Sequence, residues 1–268
     1  MLKSSGRLRL RALLNDGVPA GGLFQSIAAP EIIDIAAASG FDFVLIDLEH
    51  TLIDGQKLEH LIAVADRAGL SVLVRVPDSR SEKILQVLDA GAAGIVIPRC
   101  SGSRDAMDAV SRARYAPLGS RGLNAGRLGR FGDCDLVKLI GQLNRETLLV
   151  VMIEDREGLS SVGEISRVNG VDGLLLGAAD FSQAIGQPWK TSSPAVFEAE
   201  ERLAEAALSA GKYFFAIPRC GDDVKRQLAL GAQGIISAND RGLLRHALSE
   251  KNEAWRTEML VSGHDCRG

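Results

Sequence analysis

FVLIDLEHTLIDGQKLEHLIAVADRAGLSVLVRVP (43–77) holds one complete structural repeat. Its first part, FVLIDLEH (43–50), is an apolar run that breaks into charged residues. GQKLEHLIAVADRAG (55–69) then carries apolar residues at helical spacing and closes on glycine, the common residue just past a helix end. SVLVRVP (71–77) is a second apolar run. Near-continuous apolar strands are buried on both faces, which is the condition of a parallel sheet covered by helices. Strand, helix and strand at this spacing read as a right-handed parallel unit.

The pattern extends in both directions. Further apolar runs are GLFQSIA (22–28), GIVIPRC (94–100), TLLVVMIED (147–155), GLLLGAAD (173–180), KYFFAIP (212–218) and GIISAND (234–240). Between them lie helical stretches such as PEIIDIAAASG (30–40), SEKILQVLDAG (81–91) and PAVFEAEERLAEAALSAG (194–211). Eight strands with intervening helices in 268 residues predict an α/β fold of the (β/α)8 barrel type. An internal echo agrees with repetition: IPR occurs at 97–99 and again at 217–219. A doubly wound open sheet is the alternative, but the first strand is not followed by G-x-G-x-x-G. The expected organisation is a single domain over 1–268, with an N-terminal helix near 6–16 and a polar tail near 257–268. The interval 115–146, rich in Gly and Arg, reads as an extended loop over the barrel mouth followed by a helix near 134–144.

Charge and composition narrow the function. Lys plus Arg number 31 and Asp plus Glu 34, a near-balance unlike the basic surplus of a nucleic-acid binder. Cys100, Cys134, Cys220 and Cys266 form no C-x-x-C pair, so a reducing, cytoplasmic setting is expected rather than a disulfide framework. MLKSSGRLRLRALLNDG (1–17) lacks a long apolar core, and no run approaches the roughly 18 apolar residues of a membrane span. A small-molecule enzyme is the reading that remains.

In such a barrel the chemistry sits at the C-terminal ends of the strands. There the sequence places Asp47, Glu49 and His50, then Arg75, then Glu154 and Asp155, then Gly177-Ala178-Ala179-Asp180. Glu154 and Asp180 end neighbouring strands, and two converging carboxylates repel unless protonated or bridged by a cation. Hard oxygen donors suit Mg²⁺ or Mn²⁺, with Co²⁺ or Zn²⁺ as alternatives. The blander reading is that each carboxylate caps the following helix. His50 beside Asp47 has the makings of a general base, provided it has already left the strand, since positions three apart on a strand face opposite sides. Arg75 ends an apolar strand, where a guanidinium calls for an anion: a substrate oxygen, or a structural pair with Asp47 or Glu49. Gly177–Ala179 offers backbone N–H groups to an anion. No lysine falls at the C-terminal end of a strand, which disfavours Schiff-base chemistry. His60, His246 and His264 read as surface residues.

Taken in order, GFDFVLIDLEH (40–50), VLVRVP (72–77), VLDAGAAGIVIPR (87–99), RYAPLGSRG (114–122), MIEDREG (152–158) and GVDGLLLGAADFSQAIG (170–186) resemble the HpcH/HpaI family of metal-dependent pyruvate aldolases. The resemblance implies a barrel whose terminal helix packs on a neighbouring subunit, within a homo-oligomer that is a hexamer. It implies that Glu154 and Asp180 bind the divalent cation and that Arg75 contacts the keto or enolate oxygen of a 2-oxo acid. His50, oriented by Asp47, would be the base, Asp89 would arrive from an adjacent subunit, and the Gly177–Ala179 backbone would hold the pyruvate carboxylate. Two positions depart from the family's common pattern: Met152 stands where many members have Gln, and the turn reads Gly-Ala-Ala-Asp rather than Gly-Pro-Ala-Asp. A siderophore-linked branch of the same family forms citrate from oxaloacetate and acetyl-CoA, and it is the alternative to the aldolase.

Overall fold

Along the strands, successive side chains enter two different apolar environments, and this alternation builds the molecule. The computed structural model describes residues 6–219 and 221–261. Helix α1 (Gly6–Asn15) comes first, followed by β1 (Ala20–Gln25), α2 (Pro30–Ala38), β2 (Phe43–Asp47), α3 (Gly55–Ala68), β3 (Ser71–Arg75) and α4 (Lys83–Asp89). Next are β4 (Gly94–Ile97), α5 (Ser103–Ala113), a 3-10 turn (Arg127–Gly132), α6 (Leu136–Glu146) and β5 (Leu148–Ile153). Two short helices, α7 (Arg156–Ser160) and α8 (Val162–Ser166), lead to β6 (Gly173–Leu176), α9 (Ala178–Ala184) and α10 (Pro194–Ser209). The chain then forms β7 (Tyr213–Ala216), α11 (Gly221–Ala229), β8 (Gly234–Asn239) and α12 (Asp240–Val261). The eight strands are parallel and close into a barrel in sequence order, β8 pairing with β1.

Phe43, Leu45, Leu73, Val96, Val150, Met152, Leu175 and Phe215 point into the barrel and fill it. Their neighbours Val44, Ile46, Val72, Val74, Ile95, Val151 and Leu174 point outward and pack against the helices. Both sets are buried, which is why the strands read as unbroken apolar runs. The interior is crowded: a Cβ on Gly22 would lie 2.2 Å from the Phe43 ring, so β1 accommodates that ring only with glycine there.

Helix α1 closes the N-terminal rim. Leu10 and Leu14 join the interior cluster. The buried Ser71 hydroxyl accepts from the Leu10 N–H at 2.9 Å and donates to the Gly6 carbonyl at 2.6 Å. Arg11 donates to the Thr147 carbonyl and to Asp172, each at 2.8 Å.

Three expectations change. β1 ends at Gln25 rather than near 28, because the Ser26 and Ile27 N–H groups donate to Asp240 instead of extending the ladder. Residues 257–261 continue α12 and are not tail, while the remainder of that segment, with Cys220, Cys266 and His264, lies outside the described residues. The third concerns 115–132. It lies between α5 and α6, and its partners, at the C-terminal ends of α3 and α4, place it at the N-terminal rim, opposite the barrel mouth. There Arg121 pairs with Asp89 at 2.7 Å and stacks on Tyr115, and Arg127 meets Asp66 at 3.6 Å. These arginines are paired at that rim, and the segment does not extend over the barrel mouth.

Candidate active site

The inward parity of Leu45, Leu73, Met152 and Leu175 continues, two residues on, to Asp47, Arg75, Glu154 and Gly177 at the C-terminal rim. Asp47 and Arg75 are register partners across β2 and β3. The four residues line a cavity of about 870 Å³ together with Phe24, His50, Met152, Ala178, Ala179 and Asp180. One rim therefore gathers the strand-end residues named from sequence; the remaining candidate, expected from an adjacent subunit, is Asp89. That residue ends α4 on the opposite rim, bonded to Arg121 and Asn124, and is not in the cavity of its own chain.

Arg75 is buried and fixed from three sides. Its Nε donates to Asp47 Oδ1 at 2.9 Å, its Nη1 lies 3.1 Å from Glu49 Oε2, and its guanidinium sits over the Phe24 ring at 5.0 Å. Nη2 has no hydrogen-bond partner among the described residues. Asp47 also accepts the Glu49 N–H at 2.9 Å, so here it orients Arg75 and the start of the loop rather than His50. His50 lies in that loop, 62% exposed, with Nε2 at 3.8 Å from Glu49 Oε2. Glu49 is the residue the sequence reading undervalued: it stands between Arg75, His50 and Arg99, whose Nε is 3.4 Å from Oε1.

Glu154 is buried, and its Oε2 accepts the Arg99 N–H at 2.7 Å. That donor is aimed by a left-handed backbone at Arg99, φ 52°, an uncommon conformation for a residue with a side chain. Burial, with Glu49 and Asp180 nearby, raises the Glu154 carboxyl from 4.5 to about 7, against the opposing Arg99 bond and the Arg75 charge. A Cβ on Gly177 would lie 2.4 Å from Glu154 Oε1, so glycine at that turn is what lets the carboxylate occupy its place.

Neither carboxylate acts as a helix cap. Asp155 caps α7 by accepting the Gly158 N–H, and Asp180 lies inside the first turn of α9, which has no side-chain cap bond. Among the described residues no group of three or more His, Cys, Asp or Glu is arranged to hold a metal. Glu154 and Asp180 do fit a hard divalent cation that keeps water or substrate oxygens in its other positions. The raised Glu154 carboxyl is the sign of uncompensated charge that such a cation would offset.

Sequence reading also missed the cavity's far side. His246, expected at the surface, is exposed yet lines the cavity with Arg219, Arg241 and Trp189. The repeated IPR was the available signal for two of the missed groups, since Arg99 and Arg219 each follow a strand, β4 and β7, on the same rim.

A profile of the HpcH/HpaI aldolase/citrate lyase family matches residues 21–247. A 2-keto-3-deoxy-L-rhamnonate aldolase of Klebsiella pneumoniae subsp. pneumoniae is 34% identical over 242 residues, 88% of this chain and 89% of that protein. Among solved structures, the citrate synthase SbnG is 35% identical with a TM-score of 0.87, covering 94% of this chain and 98% of that one. An HpcH/HpaI aldolase from Desulfitobacterium hafniense is 27% identical with a TM-score of 0.89, covering 93% of this chain and 97% of that one.

Proposed function

The chain belongs to the HpcH/HpaI aldolase/citrate lyase family, and from that premise we propose that it is a divalent-metal-dependent carbon–carbon lyase, a class II pyruvate aldolase. It cleaves a 4-hydroxy-2-oxo acid reversibly to pyruvate and an aldehyde. The observation that supports this most is the gathering of Glu154, Asp180, Arg75 and His50 in one cavity.

Glu154 and Asp180 would hold a divalent cation, Mg²⁺ or Mn²⁺ by the hardness of the donors, which would supply positive charge to offset the negative charge that develops on cleavage. Arg75 arrives pre-oriented by Asp47 and Glu49, and its remaining N–H groups face the same developing charge without reorganisation. His50 accepts the 4-hydroxyl proton through water, which its exposed loop position allows. The C3–C4 bond then breaks, its electron pair passing to pyruvate as the enolate, which is protonated at C3. Backbone N–H groups of Ala178 and Ala179, at the start of α9, hold the pyruvate carboxylate; the Gly177 N–H, also expected to do so, donates instead to the Ile153 carbonyl at 2.9 Å.

Assembly belongs to the same proposal. A homo-oligomer, a hexamer of paired subunits, would bring Asp89 to an adjacent subunit's site and cover α12, which leaves Leu243, Leu244, Leu248 and Trp255 exposed. No described helix is long and apolar enough to cross a membrane. Cys100 and Cys134 are free thiols, which suits the cytoplasm.

The citrate-forming reading is kept for one observation: Met152 lies beside Arg75, its sulfur 4.0 Å from Nη1, where an amide would offer a donor and an acceptor. Two assays separate them. Pyruvate release from 2-oxo-3-deoxy sugar acids that stops on chelation and returns with Mg²⁺ or Mn²⁺ supports the aldolase. Thiol release from acetyl-CoA with oxaloacetate, without aldol cleavage, replaces it with the citrate synthase.

A further inference from the structure

A histidine base works with a carboxylate on its far nitrogen, which fixes the tautomer and steadies the imidazolium. Asp47, three residues before His50, is committed elsewhere: its Oδ1 accepts the Arg75 Nε–H and the Glu49 N–H, each at 2.9 Å. Among the described residues no ion pair joins Asp47 to His50. Glu49 is placed differently. Its side chain is only 10% exposed, and its Oε1 lies 3.4 Å from Arg99 Nε. Arg99 is itself tied by an Nη2 bond of 2.7 Å to the Pro77 carbonyl. Glu49 Oε2 is shielded from water and accepts no hydrogen bond, for Arg75 Nη1 approaches to 3.1 Å without the alignment of one. A buried carboxylate oxygen left without a donor is costly. The other cationic group at that oxygen is His50 Nε2, at 3.8 Å. The Thr51 hydroxyl donates to the Asp47 carbonyl and closes the turn that carries His50, so the imidazole can swing toward Oε2 without disturbing the strand end.

We propose that Glu49 is the positioning residue of the base. His50 Nε2–H donates to Glu49 Oε2, which leaves Nδ1 unprotonated and turned to the water that takes up the 4-hydroxyl proton. The inference rests on the aldolase reading and deepens it, giving His50 a partner other than the Asp47 expected from sequence. As the proton reaches Nδ1, the positive charge of the imidazolium appears beside a carboxylate already held by Arg99. Catalytic hydrogen bonds are often this long before substrate binds, and tighten in the complex. The same Oε2 faces Arg75, which Asp47 anchors separately through Nε. Glu49 thus stands between the base and the guanidinium that meets the enolate, and its His50 contact serves cleavage alone.

Oxaloacetate decarboxylation forms the enolate without removing a hydroxyl proton, so the ratio of aldol cleavage to decarboxylation isolates the base. Both rates are measured on Mg²⁺-loaded enzyme, with 2-oxo-3-deoxy sugar acids and with oxaloacetate. Glu49→Gln should lower the ratio by about tenfold or more. Asp47→Asn, acting through Arg75, should slow both reactions and leave the ratio nearly unchanged. In a His50→Ala background, Glu49→Gln should no longer move the ratio. A ratio unmoved by Glu49→Gln, or moved as far without His50 as with it, overturns the proposal and leaves the aldolase standing. Nitrogen-15 spectra of the imidazoles read the pairing without activity, in metal-free protein at alkaline pH, with His50→Ala assigning the signal. His50 should be the Nε2–H tautomer in wild type and in Asp47→Asn, and a mixture of tautomers in Glu49→Gln. If no sugar acid is cleaved, the aldolase reading falls and the spectra alone decide: a tautomer preference lost in Glu49→Gln supports the pairing, and an unchanged signal overturns it.

Discussion

Glu154→Gln in metal-free protein should increase stability at neutral and alkaline pH. The wild-type carboxyl sits at about 7 in the fold against an ordinary 4.5, so the folded chain holds that proton more tightly than the unfolded chain. Its contribution is therefore fully present below about pH 4.5 and is lost as the pH rises through about 7. A difference of about 2.5 between the two values corresponds to about 3 kcal/mol by pH 8, and to about 1 kcal/mol at pH 5. Gln keeps an oxygen for the Arg99 N–H and carries no charge, so it avoids that loss. In a chain of this size the gain amounts to roughly 6–12 °C in Tm at pH 8. Calorimetric melts of chelator-treated wild type and variant, at pH 5 and pH 8, measure it directly. Mn²⁺ should then stabilise the wild type far more than the variant at pH 8. A variant no more stable than wild type at pH 8, or a gap of equal size at both pH values, would refute the picture of a buried carboxylate waiting for a cation.

Arg75→Ala should depress aldol cleavage and oxaloacetate decarboxylation together, since both pass through the enolate, whereas His50→Ala should depress cleavage far more; equal losses in both reactions would contradict the assigned roles. Gly177→Ala places a methyl group 2.4 Å from Glu154 Oε1, and should cost about 1–3 kcal/mol together with much of the Mn²⁺ affinity, read by urea melts and metal titration. Ser71→Ala removes the acceptor of the Leu10 N–H and the donor to the Gly6 carbonyl, so a loss of about 1–3 kcal/mol is expected in the same melts, with kcat scarcely altered.

Where sequence and structure agree, short-range physics was sufficient. Apolar runs such as FVLID and LLVVMI, buried throughout, separate strands from amphipathic helices without ambiguity, and a strand's end predicts the rim on which its next polar residue falls. That is why Asp47, Arg75, Glu154 and Asp180 could be read as neighbours. Side-chain partners were less legible. The i, i+3 spacing of Asp47 and His50 suggested a pair, but Asp47 is satisfied by Arg75 on the adjacent strand, a contact set by register rather than by sequence distance. The Arg-rich segment 115–132 was misplaced because its composition outweighed its position at the end of α5, which has already carried the chain back to the N-terminal rim. Arg99 and His246 were missed for opposite reasons: one acts through its backbone, and the other comes from a helix that reaches the cavity only after the barrel closes.

Helix α1 carries a consequence for how the chain reaches this shape. It precedes every barrel strand in the chain, yet it docks on groups contributed by Ser71, Thr147, Asp172 and, through a 2.6 Å bond to Asn15, Tyr213. Leu10 and Leu14 on its apolar face share the interior cluster with residues of β2 through β8. Its full set of partners is therefore complete only once strands from both halves of the barrel are in place, and its seating ties those halves together. Amide protons of α1 should accordingly gain protection in step with those of β5 and β7, strands far from it in sequence.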